Sequence, residues 1–289
     1  MKRKLKIKKL NLIIIILSLI LCSILIINTV SLFQNKQSPE EIELNKKLKK
    51  LNNIDKKIKY FNYNKIDRYI AYKNKNKTLS NKKVITHVNI GIDQPPYKNS
   101  IETTYLNKIY ILVNKYNHLS EQYIPKDLEL ISNEYSTGNV QLVKEAKNQF
   151  EIMSSSAKKE NLNVIAFSGY RDYTYQKNLY NTYLQKDSQE KVDTYSARAG
   201  YSEHQTGLSV DIYNGIDDYN TFEQTKEFKW LKDNAHKYGF ILRYPKNKEL
   251  ETQYQYESWH YRYVGIDIAT YIKKHNISFD EYYVQNIEK

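Results

Sequence analysis

The sequence has a single cysteine, Cys22, so no disulfide can form within the chain. The same scarcity excludes a metal site built on several cysteines. Histidine is also rare, with six among 289 residues. From Gln34 to Lys83 there is no glycine, and no proline after Pro39, so this stretch lacks the residues that most often punctuate a chain. No internal repeat is visible. Acidic residues are scarce in the N-terminal part: residues 1–85 hold 21 Lys+Arg against 5 Asp+Glu, a net +16, while the remainder holds 24 against 27, a net −3. The overall charge of +13 therefore belongs to an N-terminal arm. A nucleic-acid-binding domain carries its basic patch on the folded surface, so no nucleic-acid partner is expected.

What is present is enough for a folded core: 40% hydrophobic and 27% charged residues, with 28 tyrosines. The chain opens with six cations by Lys9, followed by a mostly apolar run from Leu12 to Phe33. That run can span roughly 30 Å of hydrocarbon as a helix, and it is longer than the apolar core of a secretory signal. Leu21 stands before Cys22, where a lipoprotein signal would place a small residue. The cations precede the run, so the N-terminus is expected in the cytoplasm and everything after Phe33 outside. Residues 1–33 are thus read as a cytoplasmic tip and single-pass transmembrane anchor in the cell membrane. Residues 34–83 are read as a basic, partly helical stalk, with Ile42, Leu44, Leu48, Leu51, Ile54 and Ile58 at near-helical spacing. Residues 84–289 are left as the folded extracellular domain.

Within that domain "VITHVNIGI" (residues 84–92) alternates like a strand. Val140, Leu142, Val143, Ala146, Phe150 and Met153 mark one helical face. "NVIAFSGYR" reads as a strand ending in a glycine turn, and "YTYQKNLYNTYLQKD" as a helix. "GLSVDIYN" and "HYRYVGI" read as strands, with a helix between them stopped by Gly239. Helices and strands come in mixed order without a regular βαβ repeat. The expectation is an α+β fold, a small antiparallel sheet with flanking helices.

In "GLSVDIY" strand alternation sends Leu208, Val210 and Ile212 to one face and Ser209, Asp211 and Tyr213 to the other. His204 precedes this strand across the Gly207 turn, from where its imidazole can fold back over Asp211. His260 opens the next strand signal, three residues after Glu257. Two imidazoles and one carboxylate form the three-ligand set of a catalytic zinc site, which leaves a position open for water. Such a water needs a carboxylate to take its proton, and Glu257 is the candidate. Residues 257 and 260 face opposite ways on a regular strand, so a turn or bulge is predicted at Ser258. His87, His118, His236 and His275 are read as bystanders. Trp259, Tyr261 and Tyr263 either wall a groove or pack in the core.

The segments "SGYRDYTYQ", "SEHQTGLSVDIY" and "ESWHYRYVG" closely resemble the signature stretches of VanY-type D-alanyl-D-alanine carboxypeptidases, zinc peptidases of bacterial peptidoglycan related to the LD-carboxypeptidases. The resemblance covers residues 84–275. It implies Zn2+ as cofactor on His204, Asp211 and His260, with Glu257 as the catalytic glutamate. It also carries over Arg171, Gln176 and Ser202 as residues of the substrate end, with Arg171 either clamping a terminal carboxylate or stabilising an oxyanion. The chain departs from similar proteins in Ala199 and Ser258, where proline is common. The resemblance implies removal of the terminal D-alanine from peptidoglycan stem peptides. The alternatives are an LD-carboxypeptidase acting on tetrapeptides, an endopeptidase acting on cross-links, and a non-catalytic wall-binding module.

Overall fold

A computed structural model describes residues 16–27 and 38–288 of the chain. The chain divides into two compact units, Met1–Lys57 and Ile58–Lys289. In the first, residues 16–27 form an exposed helix, α1, and Pro39–Lys50 form α2. Ser38 starts α2 with a capping box, accepting from the Glu41 amide while the Glu41 carboxylate accepts from its own. Much of the apolar run from Leu12 to Phe33 lies outside the described residues. Among the described residues no helix is long and apolar enough to cross a membrane.

The second unit begins at Ile58 and so takes in residues 58–83. Its first helices, α3 (Ile66–Lys75) and α4 (Asn81–Ile90), pack on each other. Helix α4 corrects the strand expected from residue 84 onward. Ser80 caps its start by accepting from the Lys83 amide, and Gly91, at φ 108°, closes its end. Val84, Ile85, Thr86, His87, Val88 and Ile90 are all buried, so no polar face reveals the helical period.

Two small strand pairs follow, β1 (Ile101–Glu102) with β2 (Asn117–His118), parallel, and β3 (Leu128–Leu130) with β4 (Gln141–Val143), antiparallel. Helix α5 (Lys144–Lys159) leads into β5 (Ile165–Ser168) and α6 (Tyr173–Leu184), then α7 (Gln189–Tyr195). After β6 (Ser209–Tyr213) come α8 (Lys226–Asn234), β7 (Phe240–Leu242), the short α9 (Glu249–Thr252) and β8 (His260–Tyr263). Helices α10 (Ile266–His275) and α11 (Phe279–Asn286) finish the unit, with α11 packed on α4.

The central sheet has four strands in the order β5-β6-β8-β7, all antiparallel. Leu208, Val210 and Ile212 enter the core that Phe150, Met153 and Ala157 of α5 also fill. The fold is thus helices around a small antiparallel sheet, as the mixed order of elements implied. Tyr261 and Tyr263 also lie in this core rather than in a groove wall.

Candidate active site

The site is built on β6, the inner strand next to β8. Asp211 pairs with Ser168 on β5 and with His260 on β8, so three site residues share one row across the sheet. A register shift between Ala166 and Ser168 re-aims the end of β5 toward this row. Val210 and Ile212 point into the core, which leaves Asp211 on the opposite face.

His204 reaches the same place from a turn of 3-10 helix, Glu203–Thr206. Ser202 caps this turn, its hydroxyl accepting from the His204 amide at 3.3 Å. Gly207 ends it at φ 67°, where an added Cβ would sit 2.9 Å from Leu128 Cδ2. The turn brings His204 Nε2 to 3.3 Å from Asp211 Oδ2. Its Nδ1 lies 2.6 Å from the Gly169 carbonyl, so Nδ1 donates there and the Nε2 lone pair faces the site.

His260 Nδ1 lies 3.1 Å from Asp211 Oδ1. The two imidazole rings are 4.9 Å apart at 85°. His204, Asp211 and His260 are all buried, with one donor atom from each within 4.8 Å of the others. In a zinc tetrahedron with bonds near 2.0–2.2 Å, neighbouring donors are roughly 3.3 Å apart. Each imidazole lies near that spacing from an Asp211 oxygen, His204 Nε2 at 3.3 Å from Oδ2 and His260 Nδ1 at 3.1 Å from Oδ1. Two nitrogens and one carboxylate oxygen also leave the fourth position of such a site open.

Glu257 lies just before β8, and Ser258 and Trp259 form the turn expected between it and His260. The Glu257 amide donates to Tyr244 O at 3.1 Å, and its Oε2 stands 3.8 Å from His260 Nδ1. Burial pushes the Glu257 carboxyl up to about 7; Asp211 adds to this, against the pull of His260 and Arg171. The neighbouring groups move in other directions. Burial, aided by Arg171, brings His204 down to about 4. Burial also opposes charge on Asp211, but His204, His260 and Arg171 hold it well below the carboxylate range. Burial would depress His260 as well, yet its contacts with Asp211 and Glu203 raise it to about 9.

Arg171 is fixed on three sides. Its Nη2 contacts Asp211 Oδ2 at 2.6 Å, its Nε donates to Ser168 Oγ at 3.1 Å, and its Nη1 donates to Gln176 Oε1 at 3.3 Å. Gln176 is buried on α6 and donates to the Ala197 carbonyl at 2.7 Å. Gln176 therefore ties Arg171 to the loop before His204, and the Ser202 hydroxyl is engaged in capping. A cleft of about 300 Å³ opens over the row, with Phe167, Tyr183, Tyr219 and Trp259 in its walls. Of the other histidines, His87 is buried on α4 against Tyr72 and Glu251, and His118, His236 and His275 lie outside the cleft.

Sequence reasoning missed Glu203. It is fully buried, with Oε1 held by Arg243 Nε at 2.8 Å and by Arg262 Nη1 at 3.0 Å. Arg243 in turn pairs with Asp280 at 2.6 Å. Its place beside His204 was the only signal available, because a charged residue reads as exposed until its partners are known.

Comparison with known proteins places this arrangement. The family model "VanY: D-alanyl-D-alanine carboxypeptidase" matches residues 139–266, a span that holds every residue of the row and its neighbours. YodJ of Bacillus subtilis (strain 168) is 42% identical over 182 residues, covering 61% of this chain and 67% of that one. The LdcB LD-carboxypeptidase structure superposes with a TM-score of 0.61 at 38% identity, over 65% of this chain and 91% of LdcB. The chain belongs to the VanY family of carboxypeptidases. It is accordingly a peptidase of a family described as D-alanyl-D-alanine carboxypeptidases. A vancomycin-resistance D,D-pentapeptidase VanY in complex with Zn(II) matches at TM-score 0.52 and 32% identity, over 60% of this chain and 97% of that one. Zinc is thus the family's cofactor, and in this VanY-type carboxypeptidase His204, Asp211 and His260 are the residues whose chemistry and spacing fit it.

Proposed function

We propose that the chain is a zinc-dependent carboxypeptidase that removes the terminal D-alanine from peptidoglycan stem peptides. The observation that carries this reading is the buried Glu257 carboxyl, 3.8 Å from His260 Nδ1 and beside the His204–Asp211–His260 cluster. When bound, the ion supplies a Lewis acid for the scissile carbonyl and raises the acidity of the attacking water. Glu257, raised to about 7 by burial, takes the water proton near neutral pH and returns it to the leaving amine. Arg171 holds its guanidinium rigid against Ser168, Gln176 and Asp211 and keeps one N–H on each Nη for the substrate. Those two N–H groups suit a terminal carboxylate, which is what marks the substrate of a carboxypeptidase. Trp259, Tyr219 and Phe167 give the cleft an apolar wall that limits water around the reacting bond.

A second reading is favoured by the likeness to LdcB, an LD-carboxypeptidase. The residues around the row serve either stereochemistry, and the difference would lie in the pocket for the penultimate residue. Purified protein incubated with stem pentapeptide and, separately, tetrapeptide distinguishes the two by mass spectrometry of the products. Loss of one D-alanine from the pentapeptide supports the first reading; trimming of the tetrapeptide alone supports the second. A substrate with a blocked carboxyl terminus tests for endopeptidase action, which the Arg171 arrangement argues against. A purely binding role would not require Glu257 and all three candidate donors.

The same reading extends to location. The apolar run from Leu12 to Phe33, preceded by its cations, would anchor the chain in the cell membrane with the carboxypeptidase unit outside, tethered by the basic segment that follows. There the unit would meet the cell wall that contains its substrate.

A further inference from the structure

We infer that Glu203 is a positioning residue that fixes the orientation of the His260 imidazole. The inference rests on His260 being one of the residues that hold the metal. His260 directs Nδ1 toward Asp211 and Glu257, at 3.1 Å and 3.8 Å. Its Nε2 is buried on the far side of the ring and has no hydrogen-bond partner among the described residues. The carboxylate facing that nitrogen is Glu203, with Oε2 at 3.8 Å.

Glu203 is itself prevented from turning away. Arg243 and Arg262 both hold Oε1, which leaves Oε2 with Ser209 Oγ at 3.3 Å and with His260. Arg243 is shared with Asp280, and Asp280 accepts from Asn114 Nδ2 at 2.8 Å. Two carboxylates and two guanidiniums therefore form a buried cluster of balanced charge on the same face of the sheet as His260. Its edge toward the site is Glu203 Oε2, which accepts from Ser209 Oγ and faces His260.

The physical consequence is a choice of ring nitrogen. A ligating imidazole usually gives its second N–H to a carboxylate or carbonyl, which sets the tautomer and the ring angle. His204 has this arrangement with the Gly169 carbonyl. Glu203 supplies the equivalent for His260: it draws the proton to Nε2 and leaves the Nδ1 lone pair for the metal. At 3.8 Å the carboxylate acts on the Nε2 proton as a nearby charge rather than through a formed hydrogen bond.

The test begins with native full-length protein, labelled with 15N-histidine and loaded with zinc. Long-range nitrogen–proton correlation is expected to show the metal on His260 Nδ1 and the proton on Nε2. Attachment through Nε2 would overturn the inference. Absence of zinc binding would instead overturn the proposed function on which it rests. The second arm compares zinc affinity, by chelator competition, in Glu203→Gln and Asp280→Asn. Each removes one negative charge from the same buried cluster, but only the first touches His260. Glu203→Gln is expected to weaken zinc binding by about 10- to 100-fold, with Asp280→Asn close to wild type. Equal losses in the two variants, or no loss in Glu203→Gln, would contradict a positioning role. If either variant fails to fold, the ring assignment in the native protein decides.

Discussion

Asp211 and His260 sit in register on neighbouring antiparallel strands, with Oδ1 and Nδ1 3.1 Å apart. In the metal-free protein this pairing, together with Glu203, raises His260 to about 9, so the imidazole is protonated at neutral pH. A metal ion then competes with a proton for Nδ1. Zinc affinity is expected to rise with pH and to level off near 9, with proton release on binding. Calorimetry in buffers of different ionisation enthalpy measures the release; an affinity independent of pH would count against His260 as a ligand.

Gly169 carries the carbonyl that orients His204, and it lies just past β5, against the start of β4. A Cβ at this position would collide with the Gln141 carbonyl and lie 2.9 Å from Val140 Cγ1. Gly169→Ala is expected to cost about 1–3 kcal/mol of stability and to weaken metal binding through His204. Thermal melting with and without zinc reads both effects. A variant that melts like wild type and binds zinc equally well would refute the role given to this glycine.

Arg171 lines the cleft, and its contacts to Gln176 and Asp211 use one N–H on each Nη and leave one on each. If these clamp the terminal carboxylate, wild type discriminates strongly against a peptide amide, and Arg171→Ala loses most of that discrimination. If instead Arg171 stabilises the oxyanion, the variant slows both substrates alike. Measuring kcat/KM on the free acid and the amide separates these outcomes. Gln176→Ala is expected to act in the same direction more weakly, because it only loosens Arg171.

The compact unit starts at Ile58, and its first helices contribute buried side chains such as Ile66 and Tyr69. Lys83 also pairs with Glu251 at 2.7 Å, and His87 Nε2 lies 3.3 Å from the same carboxylate, on α9 just before the Glu257 segment. Burial of each large apolar side chain contributes about 1.5–3 kcal/mol, against a net stability of roughly 5–15 kcal/mol. A chain trimmed to residues 58–289 is expected to melt well above one trimmed to 84–289. Equal melting temperatures would show that α3 is dispensable to the unit.

The placing of Asp211 was legible in the sequence because it lies on a strand with one apolar face, whereas Arg171, Gln176 and Ser202 came only from the resemblance of their motifs. Val210 and Ile212 fix the register of Asp211, and the odd spacing of Glu257 and His260 required the turn found at Ser258 and Trp259. Helix α4 was misread because it is buried nearly all round, so its β-branched residues alternated without a polar stripe. The positions of Tyr261 and Tyr263 could not be decided from spacing, since aromatic residues suit both a core and a groove. Glu203, Arg243, Arg262 and Asp280 were invisible for another reason. Charged residues are buried only as mutual partners, and their partners are tens of residues apart in the chain.

Proton transfer by Glu257 beside a zinc held by His204, Asp211 and His260 separates two readouts in Glu257→Ala, zinc content and D-alanine release, assayed together. Zinc is expected at wild-type stoichiometry, with turnover of a stem pentapeptide reduced by about 10²- to 10⁴-fold. Undiminished turnover in that variant, or wild-type activity that survives complete removal of zinc, would contradict it.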